Sequence, residues 1–214
     1  MVLVDFLRMP ILNKKNIKNI FSFDNQTIKL LNSLNGGIVM TGHIGNWEMI
    51  IPGFGLNNFH MGIVTQTQRS KGAQKFFNWI RRKENTTLIP KKASKKIMMD
   101  VLDNNKFLGL ASDQNAGKNG VNVPFFNSKV STPKGAGYFH IKTKKTILIG
   151  FCILKPNLKY ELTLKEIDEH IIGNKKNDFI YNVNTYFSQL LENQIKEHPE
   201  QYFWFHKKWD KKIY

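Results

Sequence analysis

The stretch Thr41-Gly42-His43-Ile44-Gly45-Asn46-Trp47-Glu48 follows a short apolar run at residues 36–40, and this junction decides the fold. The apolar run predicts a buried strand, and Asn46 is a good N-cap residue for a helix that begins near it. On a continuous helix, side chains five positions apart point about 140° away from each other, so His43 and Glu48 could not meet. With His43 in a turn and Glu48 in the first helical turn, the carboxylate can reach back to the imidazole. The two glycines of the turn permit so sharp a bend.

The spacing of His43 and Glu48 allows two interpretations. A carboxylate that is hydrogen-bonded to an imidazole fixes its tautomer and stabilises the imidazolium, as a general base requires when it deprotonates a hydroxyl. The alternative is a structural histidine that is hydrogen-bonded at the end of a strand. The spacing alone does not choose between a catalytic pair and this structural role.

Strand-like and helix-like patterns alternate along the 214 residues. Short apolar runs predict strands, and longer amphipathic stretches predict helices. The strands are predicted at 37–41, 61–66, 87–90, 106–111 and 145–154, and the helices at 24–35, 70–84, 94–104 and 177–197, with a further helix opening at 131–135. Residues 159–167 alternate well enough to pair with 145–154 as an antiparallel edge. We therefore expect a single α/β domain over residues 1–214, with a mostly parallel central sheet flanked by helices.

Asp113 and Gln114 form a second polar pair, directly after the predicted strand at 106–111. In a parallel sheet the carboxyl ends of neighbouring strands meet at one edge, where α/β proteins place their ligands. We therefore expect Asp113 and Gln114 to emerge at the same edge as His43.

The chain is strongly basic, with 32 Lys and Arg against 16 Asp and Glu and a formal net charge of +16. Such a balance predicts an anionic partner: nucleic acid, acidic phospholipid or an acidic carrier protein. The lysines are spread along the chain and no nucleic-acid-binding motif is present, so nucleic acid is not the expected partner. Part of the excess could also reflect the composition of the source genome.

Other sequence features narrow the function classes. The single cysteine, Cys152, excludes an internal disulfide, and no run of 18 uncharged apolar residues predicts a membrane-spanning helix. A metal hydrolase built on His43 and Glu48 is disfavoured, because the other five histidines are scattered in sequence and two ligands make a poor zinc set. We therefore expect no metal.

The chain closes with an aromatic and basic stretch, Pro199-Glu-Gln-Tyr-Phe-Trp-Phe-His206-Lys-Lys-Trp209. Large aromatic side chains beside lysines are typical of an amphipathic docking surface. They are equally typical of a tail that completes the hydrophobic core.

Taken in order, these segments resemble the bacterial lipid A biosynthesis acyltransferases of the lauroyl and myristoyl type. The resemblance covers almost the whole chain and rests on a set of landmarks in the order the family has them. They are His43-Ile-Gly-Asn-Trp-Glu48 as the HxxxxD/E block, Asp113-Gln114, Val123-Pro-Phe-Phe126, Thr132 with Gly135, and the closing stretch at 199–209.

The resemblance implies a glycerolipid-acyltransferase-like fold and an O-acyltransferase without a cofactor. The acyl thioester of acyl carrier protein or coenzyme A would be the co-substrate, and a hydroxyl of a lipid A precursor would be the acceptor. Other acceptors remain open, namely another membrane glycolipid or an ornithine-type aminolipid. A basic nucleic-acid-binding protein is the alternative from a different class.

The resemblance also implies roles for individual residues. His43 would deprotonate the acceptor hydroxyl while Glu48 holds its ring, and no covalent enzyme intermediate would form. The oxyanion would be bound by backbone N–H groups around Gly42 to Gly45, or by an arginine, which here is Arg81 or Arg82, with Arg69 as a less favoured candidate. Gly45 and Asn46 are the residues of this turn expected to contact the oxyanion or the substrate. Asp113 would orient that arginine or, with Gln114, bind the substrate.

Family members usually begin with a membrane-spanning helix, followed by the part that this chain resembles, so we expect that helix to be absent here. We therefore expect a peripheral enzyme at the cytoplasmic face of the inner membrane, attached to the anionic lipid surface by basic and aromatic side chains.

Overall fold

The apolar runs of the sequence form a seven-stranded sheet in the computed structural model, which describes residues 2–168 and 176–209. The strand order is β1-β9-β8-β2-β5-β3-β4, and every neighbouring pair is parallel except the antiparallel pair β8 and β9. The strands of this sheet are β1 Phe21–Phe23, β2 Gly37–Thr41, β3 Met61–Thr65, β4 Thr86–Pro90, β5 Phe107–Ala111, β8 Ile147–Leu154 and β9 Tyr160–Glu166. The predicted α/β class with a mostly parallel sheet is therefore confirmed.

Seven α-helices within the described residues flank the sheet. They are α1 Val2–Arg8, α2 Asn25–Ser33, α3 Ile50–Leu56, α4 Lys71–Arg81, α5 Lys95–Asp103, α6 Gly135–Thr143 and α7 Lys176–Glu197. The start of α2 follows from its sequence, because the Asp24 side chain accepts a hydrogen bond from the backbone N–H of Thr27. None of the helices in residues 2–168 and 176–209 is both long and apolar enough to cross a bilayer.

The helices divide between two hydrophobic cores, one on each face of the sheet. Successive residues of a strand point to opposite faces, so Ile38 packs into one core and Val39 into the other. Buried residues of α5, α6 and α7 fill the first core, whereas those of α2, α3 and α4 fill the second. The sheet is therefore buried on both faces, each against its own layer of helices.

Two parts of the predicted topology differ from the observed one. Strand β9 pairs antiparallel with β8 as predicted, but it is not the edge, because β1 pairs with its other side. The helix predicted to open at 131–135 begins only at the end of that range. Residues Ser128–Thr132 form a strand, β7, which pairs with β6 at Val121–Phe125 as a separate hairpin. The helix α6 begins only after Pro133.

The turn after β2 leads into a short 3-10 turn at Trp47–Met49 before α3 begins at Ile50. Asn46 precedes this turn but makes no side-chain capping bond, so the predicted N-cap role is wrong. Its buried amide instead donates a hydrogen bond of 2.8 Å to the carboxylate of Asp5 in α1. An N-cap residue accepts a backbone N–H through its side-chain oxygen, whereas Asn46 is engaged through its amide nitrogen, as a donor to a buried carboxylate.

The register of the central strands positions the two polar pairs. Thr41 of β2 lies opposite Ala111 of β5 in the parallel ladder. Residues two positions beyond these strand ends are His43 and Asp113, so they leave the sheet at the same level and at the same edge.

Candidate active site

His43 and Asp113 form a pair with two hydrogen bonds at this edge. The His43 ring nitrogen Nδ1 lies 2.7 Å from Oδ1 of Asp113, and the backbone N–H of His43 donates to Oδ2 at 2.8 Å. The carboxylate thus fixes both the loop and the ring. Because an ionised carboxylate can only accept, Nδ1 carries the proton and the lone pair of neutral His43 is on Nε2.

Asp113 is fully buried yet ionised. Burial alone would raise the pKa of its carboxyl group, but the hydrogen bond and charge of His43 and the charge of Lys208, with the His43 backbone N–H, lower the pKa below its ordinary value. Lys208 is itself fully buried, and its Nζ donates to the Asp113 backbone carbonyl at 2.8 Å. Burial lowers the pKa of Lys208 to about 8, against the opposing attraction of Asp113 and Glu192.

Glu48 does not contact His43 as the sequence had suggested, so the predicted hydrogen bond between them is wrong. Its carboxylate is bound in a fork by Arg81 of α4, with Nε at 2.7 Å and one Nη nitrogen on the other oxygen. Both side chains are largely buried. A guanidinium matches a carboxylate in two parallel bonds, which a neutral imidazole cannot do. The expectation that Asp113 orients the arginine is also wrong, because both Asp113 oxygens bind His43 and Glu48 binds Arg81.

Gly45 and Asn46 do not supply the predicted oxyanion donors. The backbone N–H of Gly45 donates to the Gln201 carbonyl at 2.9 Å, and that of Asn46 to the Cys152 carbonyl at 2.8 Å. Asn46 has no exposed surface, and Gly45 packs so closely on β8 that a Cβ would lie 2.0 Å from the Cys152 carbonyl oxygen. Gly45 has a φ of +60°, and the lack of a side chain lets the loop pass close to strand β8.

The closing segment, residues 199–209, lies against the active-site loop. Its Phe203 N–H donates to the His43 carbonyl at 2.9 Å, while the Gln201 side chain bonds both backbone groups of Leu154. Trp209 packs on Phe125 of the hairpin. Tyr202 is buried, but Phe203, Trp204 and Phe205 are exposed, so the segment both completes the core and presents aromatic side chains.

His206 of the closing segment stands beside His43, with ring centroids 4.3 Å apart and the planes nearly perpendicular. Burial, with the charge of His43 next, lowers the pKa of His206 to about 4, so its ring is neutral at neutral pH. The sequence prediction missed His206 and Lys208, because nothing in the spacing of residues 199–209 indicates which strand ends they reach. The run of large aromatic residues beside the lysines allows only a choice between a core-closing tail and a docking surface.

A cavity of about 540 Å³ opens next to this edge, large enough for a drug-sized or lipid-sized group. His43, Glu48, Arg81 and Gln114 line it, together with Thr41. Arg82 is exposed at the end of α4 and does not line the cavity. Of the two candidate arginines, Arg81 is therefore the one at the site. Arg69 is likewise exposed and outside the lining.

The inner wall of the cavity is apolar. It is formed by Val39 and Ile63 from the sheet face that α3 covers and by Ile50 and Ile51 of α3 itself. Gly109 of β5 lies between the strands that carry Val39 and Ile63. The outer part is polar and basic, with Gln66, Lys91, Asn119 and Lys134. The site thus combines the His43–Asp113 pair, an apolar pocket and a cationic entrance.

His43, Asp113 and His206 also bring ligand-type atoms within 4.8 Å of one another. The Asp113 oxygens are already used by His43, and the buried charge of Lys208 adjoins the same residue. A divalent cation would have to displace a proton and approach a lysine, so the arrangement favours proton transfer over metal binding.

An α/β fold with a histidine–carboxylate pair beside a largely apolar cavity has the groups that an enzyme needs for general-base catalysis on an apolar substrate. The family of bacterial lipid A biosynthesis acyltransferases matches residues 1–211, nearly the whole chain, and the chain belongs to that family. No curated protein matches the sequence. The protein is therefore an acyltransferase of lipid A biosynthesis.

Proposed function

We propose that this protein transfers a fatty acyl group from an acyl carrier protein or coenzyme A thioester to a hydroxyl of a lipid A precursor, at the cytoplasmic face of the inner membrane. The observation that carries the proposal is that His43, which is paired with the buried Asp113, lines a cavity whose inner part is apolar. Family membership supplies the reaction class.

His43 is the proposed general base. Asp113 holds the proton on Nδ1, so Nε2 can accept the proton of the acceptor hydroxyl as its oxygen attacks the thioester carbonyl carbon. The resulting imidazolium is stabilised by the Asp113 carboxylate. When the tetrahedral intermediate collapses, the C–S bond breaks and the imidazolium returns its proton to the leaving thiolate. The products are an ester and a free thiol, and no acyl-enzyme is formed.

Arg81 and Gln114 are the proposed donors to the oxyanion. Arg81 binds Glu48 through Nε and one Nη nitrogen, so its other Nη group can donate toward the cavity that the residue lines. The Gln114 amide lies on the same wall, one residue after the base's carboxylate partner. Preorganised donors of this kind are worth about 3 kcal/mol of transition-state stabilisation each. Glu48 then acts through Arg81 as a positioning residue.

The apolar inner wall is the proposed site for the acyl chain. Val39, Ile50, Ile51 and Ile63 offer a hydrocarbon surface without charged groups. Lys91 and Lys134 at the entrance suit a substrate that carries phosphate, as both the donor's pantetheine arm and a lipid A precursor do. The net charge of +16 suits an acidic carrier protein and an anionic membrane surface in the same way.

The test is a reconstituted reaction of purified protein with acyl carrier protein thioester and a detergent-dispersed lipid A precursor, followed by mass spectrometry. We expect one added acyl ester per acceptor, and none with His43→Ala protein that keeps its circular dichroism spectrum. Transfer to a different glycolipid or an ornithine lipid under the same conditions, with no product from the lipid A precursor, would redirect the proposal to that acceptor. Normal turnover by His43→Ala would refute the general base.

A further inference from the structure

Helix α4 exposes two large aromatic side chains to solvent. Trp79 is 61% exposed and Phe76 is 40% exposed, although both belong to residue types that usually pack inside. They are three positions apart and therefore share one side of the helix, with ring centroids 6.2 Å from each other. The opposite side of α4 is buried: Ile80 is inaccessible and Phe77 packs edge-on against Phe6 of α1.

Cations flank these aromatic side chains. Lys71, Lys75 and Arg82 are exposed and lie at helical spacings of four and seven along the same side of α4. The sequence from 49 to 83 contains no Asp or Glu at all. We call Phe76 and Trp79, with Lys71, Lys75 and Arg82, the α4 surface.

The segment packed beside α4 is also apolar on its outside. Leu7 of α1 and Ile11 after it are 74% and 69% exposed. Lys83, just beyond α4, fixes this segment by donating from Nζ to the backbone carbonyls of Met9 and Pro10. The exposed apolar area thus extends past a single helix.

We propose that the α4 surface docks on an anionic bilayer, with Phe76 and Trp79 inserted among the headgroups and the three cations on lipid phosphates. A tryptophan-bearing apolar side flanked by lysines is the composition of helices that lie in the membrane interface. An acidic protein partner would also suit cations and aromatic rings, but the exposed apolar residues continue onto a second segment at Leu7 and Ile11, and this breadth favours a lipid surface.

Docking through this surface connects the bilayer to the active site. Arg81, on the buried side of the same helix, binds Glu48 and lines the cavity. The helix that docks on the bilayer therefore also supplies a residue of the cavity wall. This inference rests on the proposed function for its purpose, but the docking surface itself can be tested without turnover.

The experiment is vesicle co-sedimentation with phosphatidylcholine alone and with about 30% phosphatidylglycerol. Each lysine near an anionic surface contributes to the binding free energy, and the loss of two weakens binding about thirtyfold. We therefore expect Lys71→Gln with Lys75→Gln to bind the anionic vesicles about thirtyfold more weakly than the wild type. We expect Phe76→Ser with Trp79→Ser to weaken binding by about tenfold or more. Brominated lipid should quench wild-type fluorescence more than that of Trp79→Phe.

The matched controls lie on α5, which packs on the opposite face of the sheet, and in the turn just before this helix. Ile97→Ser removes an apolar side chain that is 47% exposed, and Lys92→Gln with Lys96→Gln removes two exposed cations. These controls should bind the anionic vesicles like the wild type. Transfer to detergent-dispersed acceptor should be normal in all of these variants.

Three results would overturn the proposal. The first is equal vesicle binding by the α4 variants and the wild type, or equal loss in the controls. The second is a dimer in lipid-free buffer that dissociates on Phe76→Ser with Trp79→Ser, which would make the surface a contact between two copies. The third is a raised KM for acyl carrier protein in detergent, with vesicle binding intact. Vesicle binding through α4 by a protein that transfers no acyl group would instead refute the proposed function and support the docking surface.

Discussion

Asp113 and Glu48 both flank the loop that carries His43, but only Asp113 touches its ring. In Asp113→Asn, the amide can donate to Nδ1 and so favour the tautomer with the proton on Nε2, which cannot act as a base. We expect kcat to fall about 10²- to 10⁴-fold, without rescue at higher pH. Glu48→Gln leaves the His43–Asp113 pair intact and should lower kcat about tenfold through a less well-held Arg81. Steady-state kinetics of the two variants, with circular dichroism as a folding control, compares them directly. An equal loss in both would contradict the assignment of Asp113 as the partner.

Lys208 makes a prediction about stability and pH. Burial lowers its folded pKa to about 8 from an ordinary value of 10.5, so between these pH values the unfolded chain binds more protons than the folded one. The free energy of unfolding of the wild type should therefore rise with pH relative to Lys208→Met, by about 2 kcal/mol between pH 7.5 and pH 9.5. Urea unfolding at both pH values measures it. Lys207→Met, at an exposed neighbouring position, should show the same pH dependence as the wild type. If the free energy of unfolding changed equally with pH in the wild type and in Lys208→Met, burial would not lower the pKa of Lys208.

The site could be predicted from the sequence only as far as its edge of the sheet. His43 and Asp113 each follow an apolar run, and that is enough to place them together. Their pairing depends on the register of β2 with β5, and the competing partner of Glu48 comes from a helix 33 residues further on. Local spacing in the sequence indicates neither the strand register nor the position of Arg81. Glu48, the carboxylate nearest to His43 in sequence, is therefore the wrong partner.

The elements of the fold followed local pattern where they are long or strongly apolar. The strands β2, β3, β5 and β8 are short continuous apolar runs, and their bounds agree with the prediction within two residues. Strand β1 has three residues and forms only because β9 offers an unpaired edge. Strand β7 pairs through a tight turn at Phe126 and Asn127, both with positive φ, and a phenylalanine gives no sign of that conformation.

Gly109 carries a prediction for the element that forms the cavity wall. It lies in β5 with its missing side chain directed at Ile63: a Cβ would be 3.3 Å from Ile63 Cγ1 and 3.5 Å from the Met61 sulfur. In Gly109→Ala, the new methyl group and the displaced Ile63 should both take space from the proposed acyl site. We expect the longest accepted acyl chain to lose about tenfold in kcat/KM while shorter chains are retained.

Competition between acyl thioesters of different length, read by mass spectrometry of the product, measures this shift. Gly72→Ala on the exposed side of α4, where a Cβ meets only Ser70 Oγ at 3.7 Å, is the glycine-to-alanine control. A uniform loss at every chain length would mean that Gly109→Ala disturbs the fold or the base and that the acyl chain lies elsewhere. Overpacking should cost about 1 to 3 kcal/mol of stability, so the comparison belongs well below the melting temperature.

At the scale of the whole molecule, charge and apolar surface coincide around one side of the site. Lys91 and Lys134 line the cavity entrance and belong to a net charge of +16, whose field acts on the donor as a whole, whereas the cations of the α4 surface are assigned to the bilayer. Such a field raises the local concentration of an anionic partner before any specific contact forms. It acts mainly on association and is weakened by salt, because the Debye length is about 10 Å at 0.1 M.

The charge therefore predicts how the two kinds of donor respond to salt. With a detergent-dispersed acceptor, raising sodium chloride from about 50 to about 300 mM should raise the KM for acyl carrier protein thioester about tenfold and change kcat by less than about twofold. An acyl pantetheine thioester without its phosphate offers the same reacting group with no charge, so its KM should be nearly constant. Both are measured by initial rates of ester formation. If the KM of the uncharged thioester rose as steeply, salt would be acting on the protein or the acceptor, and electrostatic capture of the donor would be excluded.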